Sequence, residues 1–229
     1  MSLIITGIFD GPLTGGLPKG VELFVTADIA DLSVYGIGSA NNGGGTDGEE
    51  FTFPAVAAAA GSYIYIASES VEFENFLGFA PDYTAGAASI NGDDAIELFE
   101  NGVVIDTFGD INVDGTGQPW DYMDGWAARE PGTVASPVFN LNDWSFSGAN
   151  ALDGETNNAS AATPIPTASF DSVAPPTPTF VINEVDSDTP GSDTAEFIEI
   201  YDGGVGNASL DGLSIVLFNG NGDAIYGAS

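Results

Sequence analysis

The sequence predicts an all-β protein: two β-sandwiches in tandem, the first with one short helix. Three observations carry this. Short runs of Val, Ile, Leu, Phe and Tyr alternate at strand spacing between Gly-, Asn- and Asp-rich turns. A single stretch, residues 68–78, changes to a helical period. The opening strand pattern recurs 177 positions later, beyond a proline-rich segment.

In chain order, Leu3–Phe9 and Val21–Val25 alternate as strands, and Phe51-Thr52-Phe53 and Tyr63–Ala67 follow after Gly- and Ala-rich connections. In "SESVEFENFLG", Val71, Phe73, Phe76 and Leu77 suit one short helix, with glutamates in its first turns and Gly78 as its stop. "AIELFENGVVIDTFG" (95–109) reads as a hairpin turning at Glu100-Asn101-Gly102. Ile5, Ile8, Leu23, Phe53, Ile64, Tyr65, Ile96, Leu98, Val104 and Phe108 are the expected core. Trp120, Trp126, Trp144 and Phe146 are expected to close its far side. Many short strands with one helical turn point to a sandwich.

The repeat pairs Ile5 with Ile182, Ile8 with Val185, Val21 with Ile198, Glu22 with Glu199, Leu23 with Ile200 and Phe24 with Tyr201, all at one offset. Leu32-Ser33-Val34-Tyr35 finds a looser counterpart in Leu210-Asp211-Gly212-Leu213. Between the copies, "ATPIPTASFDSVAPPTPT" (162–179) holds five prolines among Ser, Thr and Ala and is expected to form an extended tether. The division is residues 1–170 as the first domain, 171–178 as the linker and 179–229 as the start of the second.

The 229 residues carry 34 acidic and two basic side chains (Lys19 and Arg129), for a formal charge of −32, with no His and no Cys. Val, Ile, Leu and Phe at strand spacing throughout argue against a disordered acidic tail. Such charge repels phosphate backbones and anionic membranes. It implies either adaptation to a salty medium or ordered cation binding, calcium above all. The missing cysteines exclude disulfides and thiolate metal sites but do not indicate a compartment. Met1-Ser2-Leu3-Ile4-Ile5 has no basic leader region, and no stretch is long and apolar enough to span a bilayer, so no membrane insertion is expected.

"VINEV" (181–185), "AEFIEIY" (195–201) and "LDGLSI" (210–215), in that order, resemble the lamin-tail domain, an immunoglobulin-like sandwich. "ITGIFDGPL", "KGVELFV", "GSYIYIAS" and "INGDDAIELFENGVVIDTFGD" in the first unit are similar to the N-terminal region of large extracellular bacterial nucleases. The resemblance implies units joined to a metal-dependent nuclease domain and to calcium-binding repeats, and export by a one-step route without an N-terminal signal peptide. It also implies further strands beyond Tyr226, which is why the second domain is expected to be incomplete.

The metal candidate is "DINVDGTGQPWD". Asp110, Asn112, Asp114 and Gly115 match D-x-[DN]-x-[DN]-G, whose oxygens converge on calcium while the glycine turns sharply. Thr116 would give its carbonyl and Asp121 the last ligand, although Asp is shorter than the usual Glu. Pro119 and the flanking strands exclude a helix–loop–helix hand, and the alternative is an Asx-rich turn. Asp186, Asp188 and Asp193 fit no defined site and read as a solvated loop. "NNGGGTDGEE" (41–50) lacks the Lys and the following helix of a phosphate cradle. Asp93 and Asp94 are adjacent, so they are expected to diverge and to be structural.

Without His or Cys, no imidazole base and no thiolate nucleophile is available. The resembled nuclease family relies on His with Asp and Asn, so its active site is not in this segment. No carboxylate pair is singled out for glycoside hydrolysis. The reading is a non-catalytic accessory region of a secreted bacterial multidomain protein, an extracellular nuclease, with a surface or matrix adhesion module as the alternative. Expected partners are other domains of the same polypeptide and extracellular matrix or surface ligands, with no direct nucleic-acid binding.

Overall fold

The first eleven-residue strand, β1 (Leu3–Leu13), is apolar on both sides, so neither face can be left to water. In the computed structural model, which describes residues 2–171, 180–186, 191, 197–204, 209–219 and 224–228, both faces are indeed covered. The chain forms two compact units, Met1–Ala174 and Pro175–Ser229.

In the first unit, β2 (Leu17–Val25), β3 (Tyr35–Ala40), β4 (Phe51–Thr52), β5 (Tyr63–Ala67), α1 (Val71–Leu77), β6 (Tyr83–Thr84), β7 (Ala95–Glu100), β8 (Val103–Phe108), β9 (Gly125–Arg129) and β10 (Trp144–Phe146) follow β1. They build a six-stranded sheet ordered β10-β9-β1-β2-β5-β6 and a four-stranded sheet ordered β4-β3-β7-β8. Leu3, Ile5, Ile8, Leu23 and Ile64 of the larger sheet meet Ile37, Ile96, Leu98 and Phe108 of the smaller in one core. This is a β-sandwich. A third layer covers the outer face of the larger sheet, where Phe73 and Phe76 of α1, with Leu152 and Ile165, pack on Phe9 and Tyr65.

The helix stops at Gly78, whose φ of 85° is the left-handed cap. At its start Glu69, rather than a Ser or Thr, accepts the N–H groups of Val71, Glu72 and Phe73. Asn101 and Gly102 both take positive φ between β7 and β8, as a type I′ hairpin turn requires. Of the expected core, all but Val104 is buried. A bulge in the β7–β8 pairing turns Ile105 inward in place of Val104, which is left half-buried. Trp120, Trp144, Phe139 and Phe146 ring Phe108. Trp126 instead packs on the outer face of the larger sheet, because successive residues of β9 alternate sides.

The expected tether is shorter than its proline content suggests. Ile165 and Phe170 are buried on the first unit, Trp126 Nε1 donates to Thr163 O at 3.1 Å, and Ala168 N donates to Glu22 Oε2 at 2.7 Å. Apolar side chains among the prolines dock this stretch as a strap. Of the expected linker 171–178, all but Asp171 lies outside the described residues.

The second unit contains β11 (Val181–Asp186) paired with β12 (Phe197–Tyr201), and β13 (Val216–Asn219) paired with β14 (Ala224–Ala228). The β11–β12 pairing reproduces that of β1–β2. Ile4↔Phe24, Ile5↔Leu23, Gly7↔Glu22 and Ile8↔Val21 become Val181↔Tyr201, Ile182↔Ile200, Glu184↔Glu199 and Val185↔Ile198. The bulge falls at Thr6 in one and at Asn183 in the other, and each bulge residue donates from its side chain to the matching glutamate, Glu22 or Glu199. The repeat therefore extends from sequence to register. The described side chains of this unit are half-buried or exposed, and Val181, Ile182, Ile200, Leu210 and Leu213 line a groove of about 450 Å³.

Two charged groups lie between the sheets. Asp106 of β8 accepts two hydrogen bonds from Arg129 Nη2 of β9, at 2.8 and 2.7 Å, and the N–H of Ile5 at 2.9 Å. Arg129 Nε donates to Ile5 O, and its guanidinium carbon sits 4.5 Å from the ring centroid of Trp144. Burial pushes the Asp106 carboxyl up and the Arg129 guanidinium down, and the paired charges oppose both shifts. Removing one partner leaves a buried charge unpaired. Arg129→Met should destabilise the first unit by about 3–5 kcal/mol, and Asp106→Leu combined with Arg129→Met by less. Urea unfolding followed by tryptophan fluorescence checks this, since all three tryptophans lie in this unit.

Burial also raises Asp10, to about 6, and Glu22, Asp94 and Asp124 in the same direction. A carboxyl group raised on folding binds its proton more tightly in the native state. Its stabilising contribution is full below its unfolded value and is lost as pH rises through the folded one. Asp31 and Asp114 are lowered by hydrogen bonds, but both are fully exposed and oppose the trend weakly. At fixed ionic strength the melting temperature of the first unit should therefore rise as pH falls from 7 through about 6 toward 4, with a shallower rise in Asp10→Asn.

Candidate functional site

The loop from Asp110 to Asp124 joins β8 to β9 at one end of the sandwich, and its acidic residues are used first by the loop itself. Asn112 N donates to Asp110 Oδ1 at 2.9 Å, and Thr116 N to Asp114 Oδ1 at 2.9 Å. Asp121 spends both oxygens, accepting Gly117 N at 2.7 Å and Met123 N at 3.0 Å. These are Asx-type turns. Asp110, Asn112, Asp114 and Thr116 are exposed, and Asp121 is half-buried. The five expected ligands thus share one loop, with each carboxylate turned to a local N–H. Among the described residues, no group of three or more His, Cys, Asp or Glu is gathered where one metal ion would sit.

Two other loops are brought against this one. Gly45 N donates to Ile111 O at 2.8 Å, Gly115 N to Asp93 O at 3.0 Å, and Tyr122 N to Gly92 O at 2.8 Å. Gly92 lies so close that an added Cβ would stand 2.3 Å from Met123 Cα, and its φ of 82° suits glycine alone. Asp94 is fully buried, accepting Asn42 N and Asn91 N, each at 2.9 Å. Its carboxyl is pushed up by burial, which the two N–H groups partly offset. Asp93 turns the other way and accepts the Thr116 hydroxyl at 2.9 Å. The adjacent pair diverges, one member tying its own loop to the one that follows β3 and the other reaching the loop between β8 and β9. Asp186 of the second acidic loop belongs to β11, while Asp188 and Asp193 lie outside the described residues.

A second cluster escapes sequence reasoning because its members are far apart in the chain. Asp10 of β1 stands opposite Lys19 of β2. Lys19 Nζ donates to Asp10 Oδ1 at 3.0 Å, to Asn91 Oδ1 at 3.0 Å and to Ile90 O. Asp124 N approaches Asp10 Oδ2 at 3.4 Å, and Asp124 shares a hydrogen bond with Asp153, which helps hold its carboxyl up. Desolvation raises Asp10 to about 6 against the pull of Lys19. The available signal was scarcity: a lone lysine in a strongly acidic chain has many potential partners, but spacing does not reveal which. Lys19 and Arg129 are the only basic side chains in the chain, and both are engaged inside the first unit.

No helix among the described residues is long and apolar enough to cross a membrane. Comparison of the chain with known protein families, with curated proteins and with solved structures gives no match.

Proposed function

We propose that this chain is a non-catalytic accessory β-sandwich region of a secreted multidomain protein, accompanying the catalytic domain of an extracellular nuclease. The observation that carries the reading is the disposition of charge. Both basic side chains are paired within the first unit, and the loops at its end are acidic. A surface of that kind holds neighbouring domains in solution and repels nucleic acid. The strand motifs shared with lamin-tail sandwiches and nuclease N-terminal regions supply the rest. A surface or matrix module is the second reading, favoured by the hairpin register repeated in the second unit.

The chain alone should neither retain duplex DNA at physiological salt in chelator nor cleave it when magnesium or calcium is supplied. Micromolar retention in a filter or gel-shift assay, or any hydrolysis, would overturn the accessory reading. Selective capture by an extracellular matrix protein would favour the second.

The Asp110–Asp121 loop is the proposed calcium site. Asp110 and Asp114 each use Oδ1 in a turn, which leaves Oδ2 of each for calcium beside Asn112 and the Thr116 carbonyl, and Asp121 would add a remaining lone pair of an oxygen that already accepts an N–H. A dication there would also relieve repulsion among the loop carboxylates. Free calcium at a hundredfold its dissociation constant stabilises the native state by about 2.7 kcal/mol. Melting at fixed high ionic strength separates a site from general screening. Calcium should raise the melting temperature above magnesium and chelator, and Asp114→Ala should abolish the difference. Equal temperatures in all three buffers would leave an acidic turn.

A further inference from the structure

Lys19 brings an amine, Asn91 a carboxamide and Asp10 a carboxyl group to one point in the wall of the first unit. Lys19 Nζ lies 3.0 Å from Asn91 Oδ1, the atom bonded directly to the amide carbon, and 3.0 Å from Asp10 Oδ1. The three come from β1, β2 and the loop before β7, and each is fixed by its surroundings. Asp10 and Lys19 are cross-strand partners in the β1–β2 ladder. Asn91 follows the fully buried Ile90, donates its N–H to Asp94 Oδ2 at 2.9 Å, and precedes the tightly packed Gly92. Groups held this way meet at high effective concentration, which is what a slow amide exchange needs. Asp10 itself is 3 % exposed, while Asn91 is open to solvent on one side.

We propose that Lys19 and Asn91 become joined by an intramolecular isopeptide bond, with Asp10 as the proton carrier. The Lys19 ammonium gives one proton to the Asp10 carboxylate. The freed lone pair on Nζ attacks Asn91 Cγ, and the carbonyl electrons move to Oδ1. As the tetrahedral adduct collapses, the Cγ–Nδ2 bond breaks and nitrogen leaves as ammonia, carrying its own two hydrogens and one proton from the adduct's Nζ. Ammonia then takes the proton held by Asp10 and departs as ammonium, leaving Asp10 a carboxylate again. One C–N bond forms and one breaks, the charge balances, and no oxidant, metal or other reactant is consumed. The leaving group exits on the exposed side of Asn91. Desolvation holds Asp10 near 6, which suits a group that must both accept and return a proton.

The bond would tie β2 of the six-stranded sheet to the segment leading into β7 of the four-stranded sheet, closing a loop across 72 positions. A covalent link over such a span restricts the unfolded chain as a disulfide does, in a sequence that has no cysteine.

The test is the mass of the full chain under denaturing conditions, followed by peptide mapping with a Glu-directed protease. Two basic residues leave trypsin little to cut. The expected result is a mass lower by one ammonia, with a branched peptide joining the Lys19 and Asn91 segments. Lys19→Arg, Asn91→Ala and Asp10→Ala should each restore full mass. If Asp10→Ala does not fold, the wild-type branched peptide still decides the matter. Full mass with only linear peptides would overturn the proposal. An ammonia loss that persists in Lys19→Arg, with no branched peptide in the wild type, would do the same, since any of the five Asn-Gly pairs (Asn42, Asn91, Asn101, Asn219 and Asn221) can lose ammonia by closing to a cyclic imide. Loss of water in place of ammonia would mark an Asp10–Lys19 amide or a cyclic imide at an Asp-Gly pair such as Asp10-Gly11, and would equally exclude the link proposed.

Discussion

The ion pair between Arg129 and Asp106 is the constraint on which the rest of the first unit depends. Both side chains are nearly fully buried, so they are stable only if their hydrogen-bonding capacity is satisfied in place. It is met from four directions. Asp106 reaches Arg129, the N–H of Ile5 and the N–H of Ser136, while Arg129 reaches the carbonyls of Ile5 and Val134. β1 and β9 of one sheet, β8 of the other and the loop after β9 must therefore occupy one arrangement together. A purely apolar contact between the sheets would tolerate sliding; a guanidinium whose three nitrogens are each engaged, Nη2 by both oxygens of Asp106 and Nε and Nη1 by backbone carbonyls, does not. The aromatic ring around Phe108 fills the space beside it, with Trp144 stacked on the guanidinium.

The β1–β2 hairpin is the second organising element, and its bulge matters more than its length. Were Thr6 paired in regular register instead of bulged, the alternation that points Ile5 inward would send Ile8 outward. The bulge resets the phase, and the Thr6 hydroxyl donates to Glu22 at 2.7 Å. Glu22 then gathers Tyr65 and the N–H of Ala168, so one buried carboxylate links the hairpin, β5 and the C-terminal strap. The second unit repeats the bulge with Asn183 and Glu199. Matching bulge, register and hydrogen-bonding partner is a more demanding coincidence than matching apolar residues.

Charge shapes the function that this architecture can serve. With Arg129 inside the sandwich and Lys19 held against Asp10, the many carboxylates of the first unit face water without basic side chains among them. The acidic loops at the sandwich end are tied to one another by backbone hydrogen bonds and close glycine contacts. Cations from solution are the remaining counter-charges, and their availability is a property of the medium.

Much of the architecture was legible in the residues because it rests on local periodicity. Alternation marked β1, β2, β5 and the β7–β8 hairpin, Asn101-Gly102 set the turn, and Gly78 ended the helix. The β3, β9 and β10 strands were not foreseen, since Gly-rich or very short strands carry little pattern of their own and owe their pairing to neighbours. Proline content marked residues 162–170 as tether, yet Ile165 and Phe170 dock there because a complementary apolar surface exists only after folding. The motif in Asp110–Asp121 was visible as spacing, whereas the direction of each carboxylate was set by the nearest unsatisfied N–H. By itself the sequence determined the β class, the charge, the repeat and the residue types excluded from catalysis. Only the tertiary structure decided that Asp106 meets Arg129 and that Lys19 meets Asp10 and Asn91, because partners distant in the chain are selected by the packing that buries them.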